Sequence, residues 1–154
     1  MEFRCREAKI EDIAYITEIY NQGIEDRIAT LETRLRGDGE MQEWFSSRGE
    51  RYKVIVIEDI QNKVSGCTSI NAFNSRCCYN GVGDLSIYVE RSMRGKGLSR
   101  ILLGSLFDTA RKQGFNKLVL STLNLMKREK DCISLLDLER LEPISIKGFL
   151  MISL

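Results

Sequence analysis

Apolar residues recur along this chain at intervals that predict a string of short elements. Phe3 to Ala8 reads as a first strand. Ile10, Ile13, Ile16 or Thr17, and Tyr20 fall three to four residues apart, which predicts an amphipathic helix from Glu11 to about Asn21. Asp38 is a suitable cap for a second helix with Met41, Trp44 and Phe45 on its buried side, and Ser46-Ser47-Arg48-Gly49 reads as its stop. Trp44 is expected in the core. Val54-Ile55-Val56-Ile57, inside Lys53 to Glu58, is a continuous β-branched run and predicts a buried strand. Gln61-Asn62-Lys63 then turns the chain into a strand from Val64 to about Phe73, and Asn74 to Asn80 reads as a polar loop. Asp84 to Val89 is another strand. Leu98, Ile101, Leu102, Ser105, Leu106 and Ala110 mark one face of a helix that ends before Gly114, and Lys117 to Thr122 is a further strand. A helix between two late strands implies a parallel crossover within a mixed sheet, an α/β (α+β) arrangement.

The bulk numbers narrow the class. The 154 residues suit one domain over 1–154, and 43% apolar with 29% charged residues is ordinary for a globule. The net charge of +1 leaves no footprint for nucleic acid or an anionic membrane, so neither is expected as a partner. No apolar run approaches the ~20 residues of a membrane span, and Met1-Glu2-Phe3-Arg4-Cys5-Arg6 lacks the apolar centre of a signal peptide, so a cytoplasmic location is expected. The five cysteines form no CxxC pair and read as buried or incidental thiols, with no metal expected. There is no histidine. Ser-His-Asp and Cys-His catalysis are therefore excluded, and proton transfer falls to Asp, Glu, Tyr, Lys, Cys, a terminal amine or water.

The chemistry concentrates after Asp84. The strand Asp84-Leu85-Ser86-Ile87-Tyr88-Val89 runs into Arg91-Ser92-Met93-Arg94-Gly95-Lys96-Gly97-Leu98-Ser99-Arg100 and then a helix. Such a turn exposes backbone N–H groups at a helix N-terminus, where they can hold a pyrophosphate, and glycines let phosphate approach the backbone. Two glycines before a helix also fit an ordinary strand-to-helix connection. GxGxxG and GxxxxGK[ST] are both absent.

Arg94-Gly95-Lys96-Gly97-Leu98-Ser99 resembles the Q/R-x-x-G-x-G/A motif of GNAT acetyltransferases, with Ser99 where that family has Gly or Ala. Within the family the chain resembles the phosphinothricin or methionine sulfoximine acetyltransferases, through Ile19 to Ile24, Ala29 to Thr33, Asn71 to Arg76 with Tyr79, and Gly83 to Val89. The resemblance implies the GNAT fold, a mixed and mostly antiparallel central sheet flanked by helices. It implies acetyl-CoA as co-substrate and a small-molecule amine as partner, with dimerisation as in many relatives. By the same resemblance Gly95, Lys96, Gly97, Leu98 and Ser99, with Arg94, hold the pyrophosphate. Ile87, Tyr88 and Val89 hold the pantetheine where the strand splays from its neighbour, and Asn124 adds a cofactor contact. Asp84 stands where the group usually has Glu, and is the candidate general base that takes the proton of the ammonium. On residues alone it reads first as a solvated strand-end carboxylate. Arg76 is a candidate partner of a substrate oxyanion or a surface arginine. Phe73, Tyr79 and Thr30 are candidate pocket walls or plain packing.

The resemblance covers Met1 to about Asn124 and then stops. In place of a helix carrying N-x-x-A/G-x-x-L-Y, the chain reads Leu125-Met126-Lys127-Arg128-Glu129-Lys130-Asp131-Cys132-Ile133. Permitted codons for Asn124 to Leu138, read with one added T, give NFNEAGKRLYKSIGF, which identifies a frameshift as the expected cause. The expected consequences are loss of the tyrosine that protonates the departing thiolate, loss of the two closing strands, low stability, and weak or absent turnover. Ile133, Leu135, Leu136 and Leu138 are left to form a substitute amphipathic helix, and Ile144-Ser145-Ile146 a strand.

Overall fold

A computed structural model describes residues 2–27, 29–121, 141–142 and 149–154. The chain runs β1 (Phe3–Glu7), α1 (Ile13–Glu25), α2 (Asp38–Ser46), β2 (Val54–Asp59), β3 (Val64–Ala72), β4 (Val82–Val89), α3 (Leu98–Lys112), β5 (Lys117–Ser121), β6 (Leu141–Glu142) and β7 (Phe149–Ser153). Among the described residues these strands form one sheet in the order β1-β2-β3-β4-β5-β7-β6. Every neighbouring pair is antiparallel except β4 and β5, which are parallel and joined by α3. The mixed sheet and its crossover are therefore as the apolar spacing predicted.

Both faces of the sheet are covered, and this explains the unbroken Val54–Ile57 run. Side chains alternate across a strand. Ile55 and Ile57 pack with Leu98, Leu102, Leu106 and Ala110 of α3, while Val54 and Val56 pack with Ile13, Ile16 and Ile19 of α1 and Met41 of α2. α1 continues four residues past the predicted Asn21, because Gly23 and Ile24 extend its buried stripe. A side chain on Gly23 would place Cβ 3.2 Å from Cδ1 of Tyr88, so close helix–strand contact requires glycine there. Ile101 departs from the expected buried face of α3. It is 45% exposed, since it sits one step beside the Leu98–Leu102–Leu106 stripe that meets the sheet.

The expected loss of the closing strands is also corrected. β7 pairs with β5 from Phe149↔Ser121 to Ser153↔Lys117, β6 pairs with β7, and Ile152 is fully buried in the α3-side core. The continuous apolar run Phe149-Leu150-Met151-Ile152 has the composition of a strand paired on both edges, as β7 is between β5 and β6. Asn124, the substitute helix from Ile133 to Leu138 and the strand at Ile144–Ile146 lie outside the described residues.

Candidate active site

Two parts of the site meet on β4. The first is built of backbone. β4 and β5 pair only from Val82↔Lys117 to Leu85↔Leu120. Beyond that point Ser86 to Val89 pair with β3 alone, so among the described residues one backbone edge of this stretch carries no strand. The gap leads to the turn before α3. There Gly95 (φ 77°) and Gly97 (φ 84°) are both left-handed, the conformation that favours glycine. No atom lies within 4 Å of where either residue would carry a Cβ, so the cradle is open. The first-turn amides of α3, Leu98 and Ser99 among them, have no intrahelical acceptor and sit at the positive end of the helix dipole. Backbone donors, an open approach and an unpaired strand edge together fit a pyrophosphate with an extended amide arm.

Arg94 acts differently from the role expected for it. Its Nε donates to the carbonyl of Val89 at 3.0 Å and its Nη1 to Asp26. Arg91 donates from its backbone to Gln22 Oε1 at 2.7 Å, and from its guanidinium to Asp26 at 2.7 Å and Glu25 at 3.0 Å. Hydrogen bonds from Arg91, then Arg94, hold the Asp26 carboxyl down to about 2. The Arg94 charge is thus spent on bracing the turn against the end of α1. Lys96 is exposed, its Nζ 3.5 Å from Sδ of Met93.

The second part is a cavity of about 340 Å³ on the opposite face from α3. Asp84, Ser86 and Tyr88 of β4 point into it beside their β3 partners Asn71, Ser69 and Cys67. The Ser69 and Ser86 hydroxyls are 2.7 Å apart, and Nδ2 of Asn71 lies 3.4 Å from Oγ of Ser86. Burial pushes the Asp84 carboxyl up from its ordinary value, offset in part by a hydrogen bond from Asn71. A half-desolvated carboxylate of this kind is a stronger base than one in water. Burial pushes the Cys67 thiol up to about 12, so it stays protonated and is no nucleophile.

The opposite wall comes from α1, α2 and the segment between them. Arg36 donates to both Glu32 oxygens at 2.9 Å and also to Glu40. Asn21 fixes the Arg36 backbone through bonds of 2.8 and 2.9 Å. Arg36 holds the Glu32 carboxyl below its usual range, and Arg34 with Arg36 holds Glu40 down to about 2. Tyr20 meets Tyr88 edge to face at 4.8 Å. Trp44 is half-buried: it packs against the α1-side core, as expected, and also lines the cavity.

Of the residues singled out in the sequence, the structure brings Asp84 and Tyr88 into the cavity and sets Ile87, Val89, Gly95, Gly97, Leu98 and Ser99 along the gap and turn. Thr30, Phe73, Arg76 and Tyr79 do not line the cavity. Phe73 and Tyr79 stack with each other at 5.5 Å on the exposed loop that also carries Arg76. Tyr20, Glu32, Arg36, Asn71 and Ser86 were missed as lining residues. Tyr20, Glu32, Asn71 and Ser86 all stand inside the stretches of family resemblance, which is the signal the sequence offers for them.

A family model for the acetyltransferase (GNAT) family matches residues 13–129, from the start of α1 through the turn and beyond. The chain belongs to the GNAT family of acetyltransferases. Among curated relatives, YwnH of Bacillus subtilis (strain 168) is 32% identical over 114 residues, 74% of this chain and 70% of its own. The L-methionine sulfoximine/L-methionine sulfone acetyltransferase of Pseudomonas aeruginosa is 30% identical over 120 residues, 77% of this chain and 70% of its own. The GNAT phosphinothricin acetyltransferase of Sinorhizobium meliloti, solved with acetyl-CoA, superposes with a TM-score of 0.88 at 25% identity and covers 100% of this chain and 89% of its own. The GNAT protein described here is accordingly an acetyltransferase enzyme with acetyl-CoA as co-substrate.

Proposed function

We propose that this GNAT enzyme acetylates the α-amine of a small amino-acid-like substrate of the phosphinothricin or methionine sulfoximine kind. The observation that carries the reading is the position of Asp84. It stands in a substrate-sized cavity, on the strand whose unpaired edge leads to the glycine turn. In this reading Asp84 is the general base. It takes a proton from the substrate ammonium, directly or through a water, and the freed amine attacks the thioester carbonyl. The amides of Gly95, Lys96, Gly97, Leu98 and Ser99 hold the pyrophosphate. The backbone of Ile87, Tyr88 and Val89 holds the extended arm. The small cavity and the substrate class named for the relatives support an amino-acid-sized substrate over a protein N-terminus.

The test is CoA release from acetyl-CoA by the purified chain, with and without phosphinothricin or methionine sulfoximine. Release that depends on the amine, and that falls about 10²- to 10⁴-fold in Asp84→Asn, is the expected result. Binding of acetyl-CoA with no release on any amino-acid-like amine would replace this reading with that of a CoA-binding relative lacking turnover.

A further inference from the structure

Arg48, just past the end of α2, has a burial and a set of partners that the reaction scheme above does not use. Its Nε donates to the carbonyl of Tyr52 at 2.8 Å, its Nη1 to Oδ1 of Asn71 at 3.1 Å and its Nη2 to the carbonyl of Ile70. The guanidinium lies 4.5 Å from the ring centre of Trp44. Among the described residues no carboxylate pairs with it, and burial brings its pKa down to about 10. A desolvated cation satisfied only by neutral oxygens costs free energy, so its placement calls for a reason.

The reason lies in Asn71. A side-chain amide can sit either way round, offering oxygen at one end and N–H at the other. A guanidinium only donates. Arg48 therefore fixes Oδ1 of Asn71 toward itself, and the Ser69 hydroxyl donates to the same oxygen at 3.3 Å. Nδ2 is left on the side of Oγ of Ser86, 3.4 Å away, and of Asp84, the cross-strand partner of Asn71. We propose that Arg48 is a positioning residue: by locking the Asn71 amide it presents an N–H, and not a carbonyl oxygen, to Asp84 and so favours the ionised carboxylate. Its effect on turnover rests on Asp84 being the base, but its effect on Asp84 itself does not.

The other titratable and charged groups around the cavity are Tyr20 from α1, Glu32 and Arg36 from the α1–α2 segment, Glu40 from α2, Cys67 from β3 and Tyr88 from β4. Glu32 and Glu40 are held below the usual carboxylate range by arginines, and Tyr20, Cys67 and Tyr88 are pushed upward by burial. None of them changes charge where a raised aspartate titrates. The parallel neighbour of Asp84 on β5 is apolar Val119.

The test is a carboxyl-carbon NMR titration of aspartate-labelled protein, with Asp84 assigned by the signal lost in Asp84→Asn. Arg48→Met and Asn71→Leu should each raise the Asp84 midpoint by about one pH unit, the scale of one hydrogen bond to a charged group. The double variant should show no more than the larger single shift, and Arg48→Lys, which keeps a donor, should stay nearer the parent. An unmoved midpoint in folded Arg48→Met, or additive shifts in the double variant, overturns the proposal. If Arg48→Met does not fold, Asn71→Leu and Arg48→Lys decide: an unmoved midpoint in the first, or a full shift in the second, overturns it equally. Failure of the base reading looks different, since Asp84→Asn would then release CoA at the parent rate whatever the titration shows.

Discussion

The glycine turn and the cavity meet on the same strand, β4, and are made of different material. The turn works through its backbone. Two left-handed glycines and the start of α3 supply it, and its charged residues Arg91 and Arg94 are tied to Asp26, away from the cradle. The cavity works through side chains drawn from α1, α2, β3, β4 and an irregular segment. A backbone site tolerates changes of residue as long as the conformation survives. A side-chain site tolerates small movements of backbone better than it tolerates loss of one functional atom. Ser99 illustrates the first case: its hydroxymethyl group stands where the family motif has the hydrogen of Gly or the methyl of Ala, while the backbone amide at the start of α3 is unchanged.

This contrast can be broken at either end. The largest effect is expected for Asp84→Asn, a fall of about 10²- to 10⁴-fold in kcat with acetyl-CoA binding retained, read by CoA release and calorimetry. The same variant should melt higher at neutral pH. The folded pKa of Asp84 is raised, so the native state keeps its proton through a window where the unfolded chain has released it. Stability therefore falls as pH rises through that window, and asparagine removes the fall. A melting temperature unchanged or lowered at neutral pH would count against the buried-carboxylate account. Next comes Ile152→Ala, expected to cost about 2–5 kcal/mol in denaturant unfolding, since the side chain is fully buried under β5. A loss below about 1 kcal/mol would mean that β7 adds little to the core. Gly97→Ala forces a left-handed alanine with no clash, at a cost of about 1–2 kcal/mol, and should weaken acetyl-CoA binding about tenfold with little change in the pH profile. The smallest effect is expected for Asp26→Asn, a several-fold rise in the KM for acetyl-CoA at nearly constant kcat. An equal fall in kcat would place Asp26 in the chemistry and erase the distinction between brace and cavity.

The same contrast explains what the sequence disclosed. Glycine spacing after an apolar strand encodes the turn locally, so Gly95 and Gly97 were legible. So were β2, from its β-branched run, and α1 and α3, from their periodicity. The cavity was not legible beyond Asp84, and Tyr88, expected only along the cofactor arm, lines it as well, because its surroundings are gathered from far apart in sequence: Arg48 reaches Asn71 across 23 positions, and nothing in either neighbourhood announces the other. Glu32 and Arg36 stand four apart, yet they lie outside any helix, so helical pairing rules gave no reason to join them. Phe73, Arg76 and Tyr79 had the right chemistry for a pocket, but the loop that carries them faces outward. At the far end, β7 was not foreseen although its run Phe149-Leu150-Met151-Ile152 is continuously apolar, since an apolar run of that length names no partner strand and β5 lies about thirty positions away.

That last strand bears on how copies of the chain treat one another. β5 is parallel to β4 on one side, and its other side, with Leu118, Val119 and Leu120 along it, is covered by β7. β7 in turn is lined by the two residues of β6. Among the described residues the sheet thus ends on the two-residue β6, and strands so short are poor templates for a second chain. Removing residues 149–154 would uncover the outer edge of β5, with its buried Leu118, Val119 and Leu120, and free hydrogen-bonding groups on such a strand invite strand exchange and aggregation. Covering that edge is a consequence of β7 that is separate from any chemistry at the site.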